Sequence, residues 1–337
     1  MADTPNPAKA PVIVTKLAAG TKGAAARQKI LAFSSLVLLI IVFSLMSPNF
    51  FQPYNLIAIM LATAVNGVLA IGVTFVIITG GIDLSVGTMM TFTAVMAAQT
   101  VAVWNLPVPV GILVALVTGV ICGGASGIMI AKFKLPPFIA TLGMNMLTKG
   151  LSLIIARSKP IYFTNAPSFS KISMGTIFPF LNDFQIPNAV IILFVLAVLA
   201  SFVLNRTIFG RYTFAIGSNE EAVRLSGINT DRWKIAVYAV NGLIAGIAGI
   251  LIASRLNSAQ PALGQGYELD AIAAAVIGGT SLSGGEGTIL GTIIGAFIMS
   301  VLTNGLRILS VPQEWQIVTT GIIIIFAVYV DMLRRRR

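Results

Sequence analysis

Apolar runs of about 20 residues recur along this chain from residue 30 almost to its end, and that repetition leaves few folds open. A hydrocarbon core roughly 30 Å thick is crossed by about 20 helical residues. No water inside it can satisfy an exposed backbone N–H or C=O, so only helices and closed barrels span it. Of 337 residues, 56% are hydrophobic and 10% charged, whereas soluble domains carry roughly 25% charge. A barrel would show weak alternating segments of about ten residues, and the chain shows none. It therefore reads as an all-α integral membrane protein.

The pattern predicts ten spans, at 30–46, 55–79, 87–104, 109–131, 137–156, 188–205, 234–253, 265–283, 288–309 and 315–332. The eighth is short, broken by glycine and bordered by Glu268 and Asp270, the signature of a half-helix or re-entrant segment. Residues 1–29 form a polar arm, 30–332 a transmembrane domain and 333–337 a basic tail. The first apolar run starts too late, and is too poorly bordered, for a cleaved signal peptide. It is read as the first span.

The net charge of +11 is not spread as a nucleic-acid surface would be. Lys9, Lys16, Lys22, Arg27 and Lys29 precede the first span; Arg206, Arg211, Arg224, Arg232 and Lys234 flank one loop; Arg334 to Arg337 end the chain. Lys and Arg concentrate on the cytoplasmic side of short loops. Ten spans with both termini cytoplasmic put loop 206–233 on that side and loop 157–187 outside. Arg157, Lys159 and Lys171 on the outer loop run against the bias, although that loop is long and also carries Asp183.

Several chemistries are excluded. With no histidine and one cysteine, Cys122, the chain lacks the usual zinc sites, His-based acid–base pairs and intrachain disulfides. No metal site is expected. A GxxxxGK[ST] phosphate loop is also missing, so ATP and its magnesium would belong to another chain. No nucleophile–base constellation supports an enzyme.

The feature that calls for explanation is GGIDLSVG, residues 80–87, a carboxylate and three glycines between two apolar runs. An ionised carboxylate inside a membrane costs roughly 2.5 kcal/mol or more and implies a function or a partner. Gly80 and Gly81 permit a helix break, and Asp83 with Ser85 can cap the helix that follows. Span boundaries set Asp83 on the cytoplasmic side, and Lys149 in the fifth span, also without an evident partner, is its candidate counter-ion. The stretch IITGGIDLSVGTM (77–89) is echoed by VIGGTSLSGGEGT (276–288), which adds Gly278, Gly279 and Ser283 as a second break. Paired, glycine-interrupted segments point to related halves meeting at a transport site. Small residues that let helices approach closely would give the same echo.

Within the 206–233 loop, NEEAVRLSG reads as a short helix. Asn219 caps it, Glu220 and Glu221 occupy its first turn, Arg224 can pair with either, and Gly227 stops it. Such a helix suits a groove on a soluble partner. Asn66, Thr74, Asn145, Asn241 and Asn304 lie within apolar spans and are candidates to line a path for an uncharged polar solute. Each can equally join helices by hydrogen bonds worth about 0.6 to 2 kcal/mol.

The run EAVRLSG is similar to the E-A-A-x-x-x-G motif of bacterial ATP-binding-cassette importer permeases, with Val223 at the third place. NFFQPYNL, GVTFVIITGGIDLSVG, PPFIATLG, GRYTFAIGSNEEAVRLSGI, SAQPALGQGYELDAIAAAVIGGTSLSGGEGTILG and NGLRIL follow in one order from Asn49 to Leu309. Together they resemble the ribose-type sugar permeases. The resemblance implies a bacterial inner-membrane permease acting as two copies, or with a close paralogue. Its implied partners are a cytoplasmic ATPase with two nucleotide-binding domains and a periplasmic sugar-binding protein. Glu220, Glu221, Arg224 and Gly227 then carry over as the ATPase-coupling helix, and ribose is the expected solute. Xylose, galactose, arabinose, inositol and other polyols are alternatives. An ion-coupled secondary transporter is the rival reading, but such carriers bury several carboxylates or histidines, and here Asp83 is nearly alone. A non-transporting scaffold or receptor would need a soluble domain that this sequence lacks.

Overall fold

The computed structural model describes residues 30–177 and 185–335; the polar arm 1–29, Asp183 and the last two arginines lie outside them. Helices α1 (Ile30–Met46), α2 (Pro53–Ile78), α3 (Val86–Ala98), α4 (Val108–Ala131) and α5 (Pro137–Ile155) come first. A π-turn, Gln99–Val103, extends α3. Strand β1 (Ile161–Tyr162), the short α6 (Lys171–Met174), α7 (Asn188–Arg206), α8 (Ile208–Leu225) and α9 (Thr230–Leu256) follow. Then come β2 (Ser258–Ala259), α10 (Tyr267–Ile277), α11 (Ile289–Ile308) and α12 (Gln313–Arg335).

Among the described residues seven helices are long and apolar enough to cross a membrane: α2, α3 with its π-turn, α4, α5, α7, α9 and α11. Apolar stretches at Ile30–Met46 and Gln313–Tyr329 are shorter helices. The chain is a multi-pass, all-α membrane protein. The eighth segment is the half-helix that its glycine break suggested: α10 has 11 residues, about 16 Å at 1.5 Å per residue, half of what a crossing needs. The loop expected at 206–233 is corrected, since most of it is the helix α8.

Helices α2, α3, α9 and α11 form the interior; α4, α5 and α7 leave most of their surface outward. That surface is apolar, with Leu113, Ile121, Leu147, Ile154, Val198 and Phe202 exposed. Lipid is as apolar as leucine, so burial between helices gains little there and close packing has to hold the bundle. The α4–α9 crossing shows how. Gly119, Gly123 and Gly127 recur every four residues on α4 and stack against Tyr238, Gly242 and Ile235 of α9. A β-carbon on Gly119 or Gly242 would overlap the other's carbonyl oxygen, so the two backbones touch.

Contacts fix the helix directions. Helix α2 runs antiparallel to α11, with Thr74 bonded to Thr292 (2.7 Å) and Gly67 beside Ala296. Helix α3 runs parallel to α5, with Leu84 at Thr141 and Thr88 at Thr148. One end of the bundle thus carries α8. The other carries the β1–β2 pair, Ile161 opposite Ala259, and the segment around Phe163 and Phe169. Those two rings stack with centroids 3.8 Å apart, and Ser254 Oγ donates to the Phe169 carbonyl, closing that segment over the end of α9.

Candidate functional site

Helix α2 ends at Ile78, at the α8 end, and the chain turns back into the bundle. Gly80 has φ +77°, a backbone that glycine adopts without a Cβ penalty. From there Gly81 to Ser85 run inward without helical structure, and α3 starts only at Val86. Asp83 is fully buried beside Asn241, about 16 Å along α9 from Thr230 at 1.5 Å per residue. The carboxylate therefore sits well inside the bundle, deeper than the boundary position read from the span limits.

Three donors hold it. The Ser85 backbone N–H (2.8 Å) and hydroxyl (2.6 Å) donate to Oδ1, and the Asn241 amide donates to Oδ2 at 2.8 Å. The expected cap is corrected in detail: neither side chain accepts from the first turn of α3. Instead Asp83 folds the residue before the helix, and the Ser85 carbonyl starts it by accepting from Met89 N–H. Other groups pin the same segment. Leu84 N–H donates to Thr141 Oγ1 (3.2 Å), and the Asn145 amide donates to the Leu84 carbonyl (2.6 Å).

The proposed Asp83–Lys149 pair is not formed. Lys149 Nζ donates to Gln265 Oε1 at 3.1 Å, and among the described residues the ion pairs are Lys134–Asp231 and Lys234–Glu220. Hydrogen bonds alone satisfy the buried carboxylate. A double-mutant cycle on Asp83→Asn and Lys149→Met is accordingly expected to be additive within about 0.5 kcal/mol, measured as thermal stability in detergent.

The second break lies beside the first. Helix α10 ends at Gly278, Gly279 (φ +97°) turns the chain, and α11 begins after Thr288, whose hydroxyl accepts from Gly291 N–H (3.2 Å). Gly285 N–H donates to the Ile78 carbonyl at 2.8 Å, and a β-carbon on Gly80 would lie 3.8 Å from the exposed Ser283's carbonyl oxygen. The two echoed stretches thus meet at one end of the bundle. A different pair meets inside it: the N-termini of α3 and α10 face each other, with Gly87 packed on the Gly264 carbonyl and the Glu268 carboxylate. From that meeting α3 runs toward the strand end and α10 toward the α8 end. The Glu268 carboxylate accepts from Gly266 N–H (3.1 Å), so each start carries its own acidic group.

The five polar span residues divide. Thr74, Asn145 and Asn241 are engaged with Thr292, Leu84 and Asp83, which makes them struts of the bundle. Asn66 and Asn304 each keep a buried amide oxygen with no partner among the described residues, unusual for a buried acceptor.

Helix α8 bends at Asn219 (φ −161°, ψ 93°), whose Oδ1 accepts from Ala222 N–H at 2.9 Å. That is the expected cap, placed in the middle of a longer helix. Glu220 pairs with Lys234 (2.6 Å), not with Arg224 as expected; Glu221 and Arg224 are exposed. Gly227, at φ +83°, closes the turn with its N–H on the Arg224 carbonyl. Sequence reasoning missed the glycine seam of α4 and α9, although its four-residue spacing was visible. It also missed Gly217 on α8, where a β-carbon would overlap the Ile78 carbonyl oxygen and nothing in the local pattern stands out.

The pattern of the family described as "Branched-chain amino acid transport system / permease component" matches residues 55–328. The ribose import permease protein RbsC of Escherichia coli is 42% identical over 300 residues, covering 88% of this chain and 91% of the relative. The protein of the same name from Bacillus subtilis is 42% identical over 306 residues, 90% and 92% of the two chains. The xylose transport system permease protein XylH of Escherichia coli is 37% identical over 329 residues, 82% and 84%. No solved structure matches.

Proposed function

The chain belongs to this family of transport permease components, and we propose that it forms the membrane path of a bacterial ATP-binding-cassette importer for a monosaccharide, ribose first. The observation that carries the reading is a likeness to ribose import permeases over about nine tenths of both chains. In this reading the protein lies in the inner membrane with both termini and α8 cytoplasmic. It works as two copies, or with a close paralogue. A separate ATPase with two nucleotide-binding domains supplies ATP and magnesium chemistry, and a periplasmic binding protein delivers the sugar.

The proposal gives each part a role. The exposed half of α8, with Glu221, Arg224 and Gly227, presents a capped helix to the ATPase. Asn66 and Asn304 offer amide oxygens that accept hydrogen bonds from sugar hydroxyls. A path with few charges suits a neutral solute that must also leave. The test is uptake of labelled ribose into proteoliposomes containing the permease, the ATPase and the binding protein, with xylose as competitor. ATP-dependent uptake that needs all three supports the proposal. Uptake that persists without the ATPase and collapses with an ionophore would replace it with ion-coupled transport.

Glu221→Arg and Gly227→Pro are expected to insert normally but to lose ATPase association and ATP-dependent uptake by about tenfold. Arginine reverses a charge in the first turn of the docking helix, and proline cannot adopt the positive φ of Gly227. Space is not the cause at Gly227, where an added β-carbon meets nothing within 4 Å.

A further inference from the structure

Three stretches of bare backbone converge at the α8 end. A β-carbon on Gly217 would overlap the Ile78 carbonyl oxygen and lie 2.6 Å from Gly285 N. One on Gly284 would lie 2.8 Å from Gly80 N and 2.9 Å from the Gly217 carbonyl oxygen; one on Gly285 would lie 2.8 Å from Ser218 Oγ. Gly285 N–H already donates to Ile78 O. The bent helix α8 therefore rests directly on the C-terminus of α2 and on the turn between α10 and α11, with no side chain between. Side chains can absorb a small displacement by changing rotamer, but close-packed backbone transmits it.

The bend lies two residues beyond this contact, at Asn219. Past it, Glu221, Arg224 and Leu225 are exposed, Leu225 to 82%. From Ile78 the chain leads through Gly80 and Asp83 to the start of α3; from Gly284 and Gly285 it leads back to α10. We infer that Gly217 is the fulcrum through which the outer half of α8 moves both interrupted helices, a positioning residue in the transport cycle. The inference rests on the ATPase-docking reading above, and it adds where the motion goes: into the backbone of both breaks at once, and from there to the facing N-termini of α3 and α10.

Gly217→Ala and Asn219→Ala test it in the reconstituted importer. Alanine at 217 forces the three backbones apart. Alanine at the exposed position 219 removes the cap and favours a straight helix, with no buried contact to lose. Gly217→Ala is expected to keep ATPase association at the wild-type level, and in both variants sugar transported per ATP hydrolysed by the associated ATPase falls about tenfold, within the range of coupling between sites. If both keep the wild-type ratio, the inference is overturned. Should Gly217→Ala fail to insert, Asn219→Ala decides alone. Glu221→Arg separates the two readings: if it still holds the ATPase and transports normally, the docking reading falls. If it loses the ATPase while the 217 and 219 variants couple normally, only the fulcrum falls.

Discussion

Gly242→Val is expected to abolish the folded transporter, seen as loss of a monodisperse species in detergent and of cooperative thermal unfolding. Its first added atom would overlap the Gly119 carbonyl oxygen, and Gly123 Cα would stand 3.0 Å away. Both obstacles are main chain, so no rotamer change relieves them. Either α4 and α9 separate along the most extensive helix contact of the bundle, or a helix bends. Overpacking typically costs about 1–3 kcal/mol and more where nothing yields, and this site belongs at or above the upper figure. In water, apolar burial could hold separated helices together by other contacts; in lipid that driving force is missing. Gly143→Val is the control, since a β-carbon at Gly143 meets nothing within 4 Å. It should melt close to wild type. A Gly242→Val protein that melts with it would refute the backbone seam.

Asn241→Leu carries the second large effect. The leucine removes the one donor to Asp83 Oδ2 among the described residues, inside a fully buried site, and supplies no replacement. Leaving a buried carboxylate oxygen without its hydrogen bond costs about 1–3 kcal/mol, and more when the group is charged. The expected result is a strongly lowered melting temperature, together with lost uptake, because the segment from Gly81 to Ser85 positions the start of α3. Adding Asp83→Leu should recover part of that loss, since removing both partners of a buried hydrogen bond costs much less than stranding one. A coupling of about 1–3 kcal/mol is expected in the full cycle. Strict additivity would mean that the Asp83–Asn241 bond contributes nothing specific.

These two sites differ in how far they could be read from the sequence. Asp83 was conspicuous because a carboxylate in an apolar stretch needs a reason, and its partner was sought among cations. The structure answers with an amide and a hydroxyl, because the inward turn at Gly80 carries Asp83 past the charged boundary to the level of Asn241. The glycine echo was read as two helix breaks, and both exist. Their meeting at one end, with Gly217 wedged between, depends on the antiparallel packing of α2 and α11 and is not written in either stretch. Arg224 had a partner at helical spacing, yet Glu220 turned to Lys234, since the bend at Asn219 reorients the first turn.

By itself the sequence determined the class of protein, the number and rough limits of its apolar helices, the short eighth segment and the capped helix beyond Asn219. Each follows from local chemistry: hydrocarbon needs long apolar helices, and a cap needs an acceptor at one position. The tertiary structure alone decided the depth and partners of Asp83, which polar span residues are struts and which keep a free oxygen, and that three glycine backbones meet under α8. Those outcomes depend on which helices lie side by side and in what register. In lipid, where apolar faces are nearly interchangeable, close backbone contact and buried hydrogen bonds select that register, and neither is visible along a single helix.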